Sequence, residues 1–270
     1  MDTQPQKYYK IDLIGDSCED IYHFGTCERL SPEAPVPVFK QAEEVTKPGM
    51  SWNVRLNIES YGFFVMHYTN SEKIKKHRFI DTRHNQHLLR WDEGEQNKLN
   101  SFNTKHIVRD SIPDAVVISD YDKGFLSPEV CKDIIQHYKQ IDKNIPIFVD
   151  SKKNDLSCYE NCYIKINEKE FNSIETSPSR SQFIVTLGER GALYDGTIYP
   201  TNPVEVFDVC GAGDVFLSTM VCMYLKTGNM VDAVKSANKM ASLSVSHMGT
   251  YVLTSDDISV LLKDRNDLRI

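Results

Sequence analysis

The chain has 270 residues, 40% of them apolar and 26% charged, with a formal net charge of −7. That length can bury a large α/β core, while the acidic balance excludes the basic surplus on which nucleic-acid affinity rests. No run of eighteen uncharged apolar residues occurs and the first residues lack the basic and apolar regions of a signal peptide, so small-molecule partners in the cytoplasm are expected, with no nucleic acid and no membrane.

Residues 9–15 read as a buried strand that ends at Asp16, where a carboxylate can reach a ligand at the carboxyl edge of a sheet. Residues 20–40 alternate loosely and carry Pro32, Pro35 and Pro37, a density that excludes a central strand and suits an edge strand or lid. A helix over 53–61 is closed by Gly62, and 76–91 form a second β-like region that pairs with the first. A polar helix is expected over 93–105. From there strand and helix alternate: a strand at 115–119, then a helix opened by Ser127, Pro128 and Glu129 whose one face carries Val130, Ile134, Ile135 and Tyr138. Short buried strands follow at 147–150, 163–166 and 183–187, and Asp195-Gly196 between 192–194 and 197–199 predicts a hairpin. Helices at 214–227 and 230–248 are each ended by a glycine. Such alternation implies an α/β fold with a mainly parallel sheet covered on both faces, ligands at the carboxyl ends of its strands, and one domain over 1–270 with lid segments near 20–40 and 76–91.

Seven cysteines at irregular spacing suggest reduced thiols rather than a disulfide framework. Cys158 and Cys162 have no second Cys or His pair at metal spacing beside them. Cys210 is the thiol whose reactivity would matter, because it adjoins a helix start that lowers thiol pKa; the other reading is a small packing residue.

The stretch 204–221 carries the most chemistry. A β-rich run, Val204 to Val209, stops at Gly211-Ala212-Gly213, and an apolar helix begins at Asp214. Glycines let the backbone approach a ligand, the free amides of the helix start bind anions, and a carboxylate at that spot can take a proton from a hydroxyl that attacks a phosphoryl group. The alternative is that Asp214 merely offsets the helix dipole.

Gly211-Ala212-Gly213-Asp214 after Asp208 resembles the signature of the ribokinase-like (PfkB) carbohydrate kinases. So do Gly15-Asp16 and, in order, the run Arg29 to Val38 with Ser31-Pro32-Glu33-Ala34-Pro35-Val36-Pro37, then Asn85 to Asp92, then Ser119-Asp120-Tyr121-Asp122-Lys123-Gly124. These match most closely the subgroup that phosphorylates heptose 7-phosphate in bacterial ADP-heptose synthesis. The resemblance implies a ribokinase-like α/β fold with a small β lid. It further implies transfer from ATP, with Mg2+, to the anomeric hydroxyl of a sugar phosphate.

By the same resemblance Asp214 is the base, with Gly211, Ala212 and Gly213 forming the anion hole. Asn167 and Glu170 organise Mg2+ and the phosphates, Glu170 through water, although their spacing also fits a helix capping box. Thr186, Gly188 and Gly191 make the turn under the nucleotide, Asn238 lines the adenine pocket and Lys152 lies near the phosphates. On the acceptor side Asp16, Gly49 and Asn53 match the sugar site. Arg83, Arg90 and Lys123 are candidates for the acceptor's own phosphate, or else solvated surface charges.

Two departures lie in the sugar half. Met50 stands where the family has a second glycine, and the family's further strand and helix after Gly62 are missing. Lid strands with exposed edges suit a homodimer, and a separate nucleotidyltransferase is expected in the pathway. A kinase for another sugar or sugar phosphate, or a non-catalytic nucleotide-binding regulator, are the competing readings. The intact Asp214 speaks against the regulator, and turnover of ATP with sugar phosphates separates the two.

Overall fold

A computed structural model describes residues 8–108 and 112–267. In chain order the strands are β1 (Lys10–Gly15), β2 (Ser17–Leu30), β3 (Pro37–Met50), β4 (Phe64–Tyr68), β5 (Lys75–Asp81), β6 (Gln86–Glu93), β7 (Ala115–Asp120), β8 (Ile147–Ser151), β9 (Tyr163–Asn167), β10 (Gln182–Thr186), β11 (Ala192–Tyr194) and β12 (Thr197–Tyr199). The helices are α1 (Ser51–Glu59), α2 (Pro128–Ile141), α3 (Glu168–Phe171), α4 (Ala212–Thr227), α5 (Met230–Ser244) and α6 (Ser255–Asp267).

Eight strands form the main sheet in the order β12-β11-β10-β9-β8-β7-β1-β4. From β4 to β10 all neighbours are parallel, while β11 joins β10, and β12 joins β11, antiparallel. Its turn residues Asp195 and Gly196 both have positive φ, as a two-residue turn matched to strand twist requires. Side chains alternate between two cores. Ile11, Leu13 and Val117 face α1, α4 and α5, whereas Ile14, Val116 and Ile118 face α2 through Cys131, Ile134 and Tyr138. Ser127 caps α2, its hydroxyl accepting from Val130 N at 3.3 Å.

The lid is a separate four-stranded sheet, β3-β2-β5-β6. It is larger than the proline-broken segments suggest. β2 is proline-free and central, paired with β3 and β5, while Pro32 and Pro35 fall in the turn and Pro37 begins edge strand β3. Proline at a strand's first residue or on an edge costs no ladder bond.

Four expectations need correction. Residues 93–105 hold no α-helix, only a 3-10 turn at Thr104–His106; Gly94 takes φ +82°, and Asn100 is tied to the Glu72 carboxylate instead of to a helical ladder. The run 204–209 joins no sheet: Phe207 N and Asp208 N donate to the Val245 carbonyl, and Val206 and Val209 stay exposed. That same carbonyl lies just past the end of α5, which stops at Ser244 rather than at 248. Finally, α6 follows Thr254, whose hydroxyl accepts from Asp257 N at 3.2 Å, a cap that the helix count from sequence omits.

Candidate active site

Asp16 follows β1, Asp120 ends β7, Lys152 follows β8 and Asn167 ends β9, so the predicted residues gather at the carboxyl edge of the parallel strands. The turn into α4 is fastened there by Asp208, whose carboxylate accepts from Cys210 N at 2.9 Å and from Gly249 N at 3.0 Å. Gly211 adopts φ +78°, and a Cβ on it would lie 2.8 Å from Asn53 Nδ2, so both conformation and space demand glycine. In this turn Ala212 N and Asp214 N donate to the carbonyls of Val209 and Gly211 at 3.3 and 3.0 Å.

Asp214 is buried, with each carboxylate oxygen engaged. Oδ2 accepts from Asn53 Nδ2 at 3.0 Å and Oδ1 from the Tyr121 hydroxyl at 2.7 Å. Burial pushes the carboxyl up to about 6, against the pull of those two hydrogen bonds. A carboxylate poised there is a competent base near neutral pH. Asn53 is itself held: Asn57 Nδ2 donates to its Oδ1 at 3.1 Å, and Leu253 N donates to Asn57 Oδ1 at 2.9 Å.

Asp16 is fully buried, and Tyr121 N donates to its Oδ2 at 2.7 Å. Its Oδ1 has no partner among the described residues. Burial, then the charge of Asp120, pushes this carboxyl up to about 6 as well. One residue, Tyr121, therefore bridges both carboxylates.

Between the β11–β12 hairpin, α5 and the turn into α4, a cavity of about 440 Å³ is lined by Thr186, Gly188, Gly191, Ala212, Gly213 and Asn238, with Val204, Val206, Val209 and Val245 as apolar walls. The valines misread as a strand are thus a wall of this cavity. Asn238 Nδ2 donates to Tyr199 O at 2.7 Å, which holds the hairpin against α5. Asn167 and Glu170 form a full capping box, Asn167 Oδ1 accepting from Glu170 N at 2.9 Å and Glu170 Oε2 from Asn167 N at 2.8 Å. Glu170 Oε1 pairs with Lys152 at 2.7 Å, and Lys152 also reaches Asp150 at 3.3 Å. Burial alone would discharge Lys152, but the charges of Asp150 and Glu170 hold it protonated above its ordinary value.

Lys165 is a member that the motifs did not reveal. Its ammonium is buried, 2.8 Å from Asp150 Oδ2, and a Cβ on Gly213 would lie 2.8 Å from its Nζ. A lysine inside the otherwise apolar strand Tyr163-Ile164-Lys165-Ile166 was the available signal, since lysine is almost never buried unpaired. Among the described residues no group of three His, Cys, Asp or Glu side chains could hold a metal directly. Each Glu170 oxygen has one hydrogen-bond partner and a second lone pair free, which fits a Mg2+ ion held through its waters.

Among the residues expected to meet the acceptor, Lys123 pairs with Glu95 at 2.7 Å, and Lys76 approaches the same carboxylate at 3.9 Å. Gly49 admits no side chain, because a Cβ would meet Asp20 Oδ2 at 2.2 Å. Arg78, ion-paired with Asp20, donates to Cys210 Sγ at 3.3 Å and so joins the lid to the glycine turn. Burial pushes the Cys210 thiol up although Arg78 opposes it, which corrects the expectation of a lowered thiol. Arg90 pairs directly across from Arg78 and so shares its lid face, but it is half exposed and forked onto Asp92 at 2.8 and 2.8 Å. Arg83 is not brought to the others. It sits in the β5–β6 turn, donating to Cys27 O at 2.8 Å, five residues or roughly 16 Å of strand beyond Arg78. Met50 points into the core with Ile14 and Ile74, buried, with φ +56°.

A family model described as "pfkB family carbohydrate kinase" matches residues 65–257. Proteins named "Bifunctional protein HldE" are similar over most of the chain. The one from Campylobacter curvus is 30% identical across 96% of this chain, the one from Campylobacter jejuni 32% across 94%, and the one from Hydrogenovibrio crunogenus 31% across 92%. The chain spans 66%, 64% and 62% of their lengths. Among solved structures, Escherichia coli phosphofructokinase-2 superposes with a TM-score of 0.71 at 15% identity over 96% of this chain and 99% of that one. Thermotoga maritima ribokinase gives 0.68 at 16% over 95% and 100%. Those superpositions establish a shared ribokinase-like fold. No helix among the described residues is long and apolar enough to cross a membrane.

Proposed function

Because the chain belongs to the pfkB family of carbohydrate kinases, we propose that it transfers the γ-phosphoryl group of ATP to the anomeric hydroxyl of a sugar phosphate, with heptose 7-phosphate as acceptor and the 1,7-bisphosphate as product. The observation that carries this reading is the buried Asp214 carboxylate at the start of α4, raised to about 6 and braced by Asn53. It takes the acceptor's proton as the hydroxyl oxygen bonds to phosphorus and the bond to the leaving ADP breaks. The amides of Gly211 and Gly213 face the charge that develops on the phosphoryl oxygens, those of Ala212 and Asp214 being bonded within the turn, and in such transfers positioning and electrostatics supply most of the acceleration.

The cavity beside Val204, Val206 and Asn238 takes the purine. Lys152 and Lys165 offset phosphate charge, and Mg2+, held through water by Glu170 and Asn167, supplies further neutralisation of the donor phosphates when bound. Asp16, with one carboxylate oxygen unpartnered, accepts from a sugar hydroxyl. Lys123 and Lys76, on either side of Glu95, hold the acceptor's own phosphate. The whole chain acts as one kinase unit. The heptose assignment rests on the Ser31 to Pro37 run and the Ser119 to Gly124 motif.

An ADP-release assay across heptose 7-phosphate, hexose phosphates, pentose phosphates and free sugars tests it. The expected result is the highest kcat/KM with heptose 7-phosphate. A preference for an unphosphorylated sugar would overturn the acceptor, and no ADP release with any sugar would overturn the activity.

A further inference from the structure

Tyr121 stands where the two halves of the site meet. Its amide donates to Asp16 and its hydroxyl to Asp214 Oδ1, both at 2.7 Å. Its ring lies 5.5 Å from the Lys76 ammonium on the lid and 5.6 Å from that of Lys152 on the nucleotide side. Burial, then the negative charge of Asp214, keeps the phenol protonated far above its ordinary range, so it can only donate to that carboxylate. With Asn53 on the other oxygen and the side chain 3% exposed, the base keeps spare lone pairs but little open approach. An acceptor hydroxyl that is to surrender its proton to Asp214 competes with the Tyr121 hydroxyl for Oδ1.

We propose that the Tyr121 hydroxyl is a placeholder for the acceptor hydroxyl: it covers the base until the sugar displaces it, and so keeps water from using Asp214 to hydrolyse ATP. This rests on Asp214 being the base. Without the phenol, a water molecule can donate its proton to Asp214, bond to the γ-phosphorus and release ADP and inorganic phosphate. With the phenol in place that water has to compete for the carboxylate, and a sugar that swings Tyr121 aside reaches it. Tyr121 thus acts through Asp214 and is a positioning residue.

Tyr121→Phe keeps the ring between the two lysines and removes only the hydroxyl. Three readouts are expected to move together. ATP hydrolysis without acceptor rises by about tenfold, the factor equivalent to one lost hydrogen bond to a charged group. Heptose 7-phosphate binds more tightly by calorimetry, because no internal bond has to be broken. The acid limb of kcat/KM, which reports free enzyme, moves to higher pH, since the bond that favoured the carboxylate is gone, while the acid limb of kcat stays in place because the acceptor has already displaced the phenol. Unchanged hydrolysis without acceptor, weaker acceptor binding, or an acid limb that shifts equally in kcat and kcat/KM would each overturn the proposal. Asp214→Asn separates the two claims: if it abolishes transfer while Tyr121→Phe shows no leak, the base stands and only the placeholder falls. Should the Phe variant not fold, near-ultraviolet tyrosine difference spectra serve instead. Heptose 7-phosphate is expected to perturb a tyrosine in the unmodified protein; no perturbation at saturating heptose 7-phosphate overturns the proposal.

Discussion

Asn53 and Asp214, 161 residues apart in the chain, meet at 3.0 Å, the amide of α1 donating to the carboxylate of α4. Helices α1 and α4 are thereby joined through the carboxylate proposed as the base. Asn53 consequently has a second task beside any sugar hydroxyl, since its bond favours the charged form of a buried acid. Asn53→Ala removes that donor, so the acid limb of kcat/KM is expected to move up from near pH 6 and kcat to fall. A pH profile superimposable on that of the unmodified protein would show that the bond does not tune the base.

The two raised carboxyls carry a stability signature. Asp16 and Asp214 each rise from an ordinary 3.8 to about 6 on folding. A group raised in this way contributes stability that is fully present below pH 3.8 and is lost as pH climbs through 6. Above that range the charged, buried carboxylate is a cost of about 1–3 kcal/mol. Asp214→Asn is therefore expected to melt higher than the unmodified protein at pH 8, with the gap closing toward pH 4.5. Thermal denaturation at the two pH values reads this, and an Asn variant that is less stable at pH 8 would contradict it.

Lys123 is not free in this structure, being paired with Glu95 at 2.7 Å. An incoming phosphate competes with that carboxylate. Lys123→Gln should weaken heptose 7-phosphate binding by about 1.5–3 kcal/mol, the worth of a charged hydrogen bond, with ATP affinity kept. Glu95→Gln should act in the opposite direction and tighten sugar-phosphate binding. Titration calorimetry on the pair decides it, because a lysine that never touches the phosphate would leave both values unmoved.

Met50 occupies a positive φ, with ψ −133°, that glycine would adopt more cheaply, by about 1–3 kcal/mol, yet its side chain fills the core beside Ile14 and Ile74. Deleting a buried methionine costs about 2–5 kcal/mol, so the packing loss wins. Met50→Gly is expected to lower the melting temperature and to leave KM for the acceptor unchanged. A lowered KM would put the side chain in the sugar pocket.

What was legible in the sequence follows from range. The strands at 10–15, 115–120 and 147–151 are apolar runs whose period-two alternation feeds two cores, and the Gly211 turn into α4 announces itself through residues adjacent in sequence. Contacts made across the chain were not legible. Lys165 at Asp150, Tyr121 on Asp214 and Lys76 with Lys123 around Glu95 exist only once separate strand ends are brought to one edge. Arg83 shows the converse: a basic residue next to a family-like segment, held by the hairpin turn on the Cys27 carbonyl rather than beside Arg78. The run 204–209 has β-type composition because its valines wall a cavity, a demand that periodicity does not distinguish from a strand.

The central claim is that Asp214 removes the acceptor's proton. Asp214→Asn keeps the size of the side chain but cannot take that proton. The most direct measurement is single-turnover transfer from ATP to heptose 7-phosphate by this variant, alongside its ATP dissociation constant. The account predicts a fall in rate on the order of a hundredfold or more with ATP binding preserved; transfer at a rate near that of the unmodified protein would contradict it.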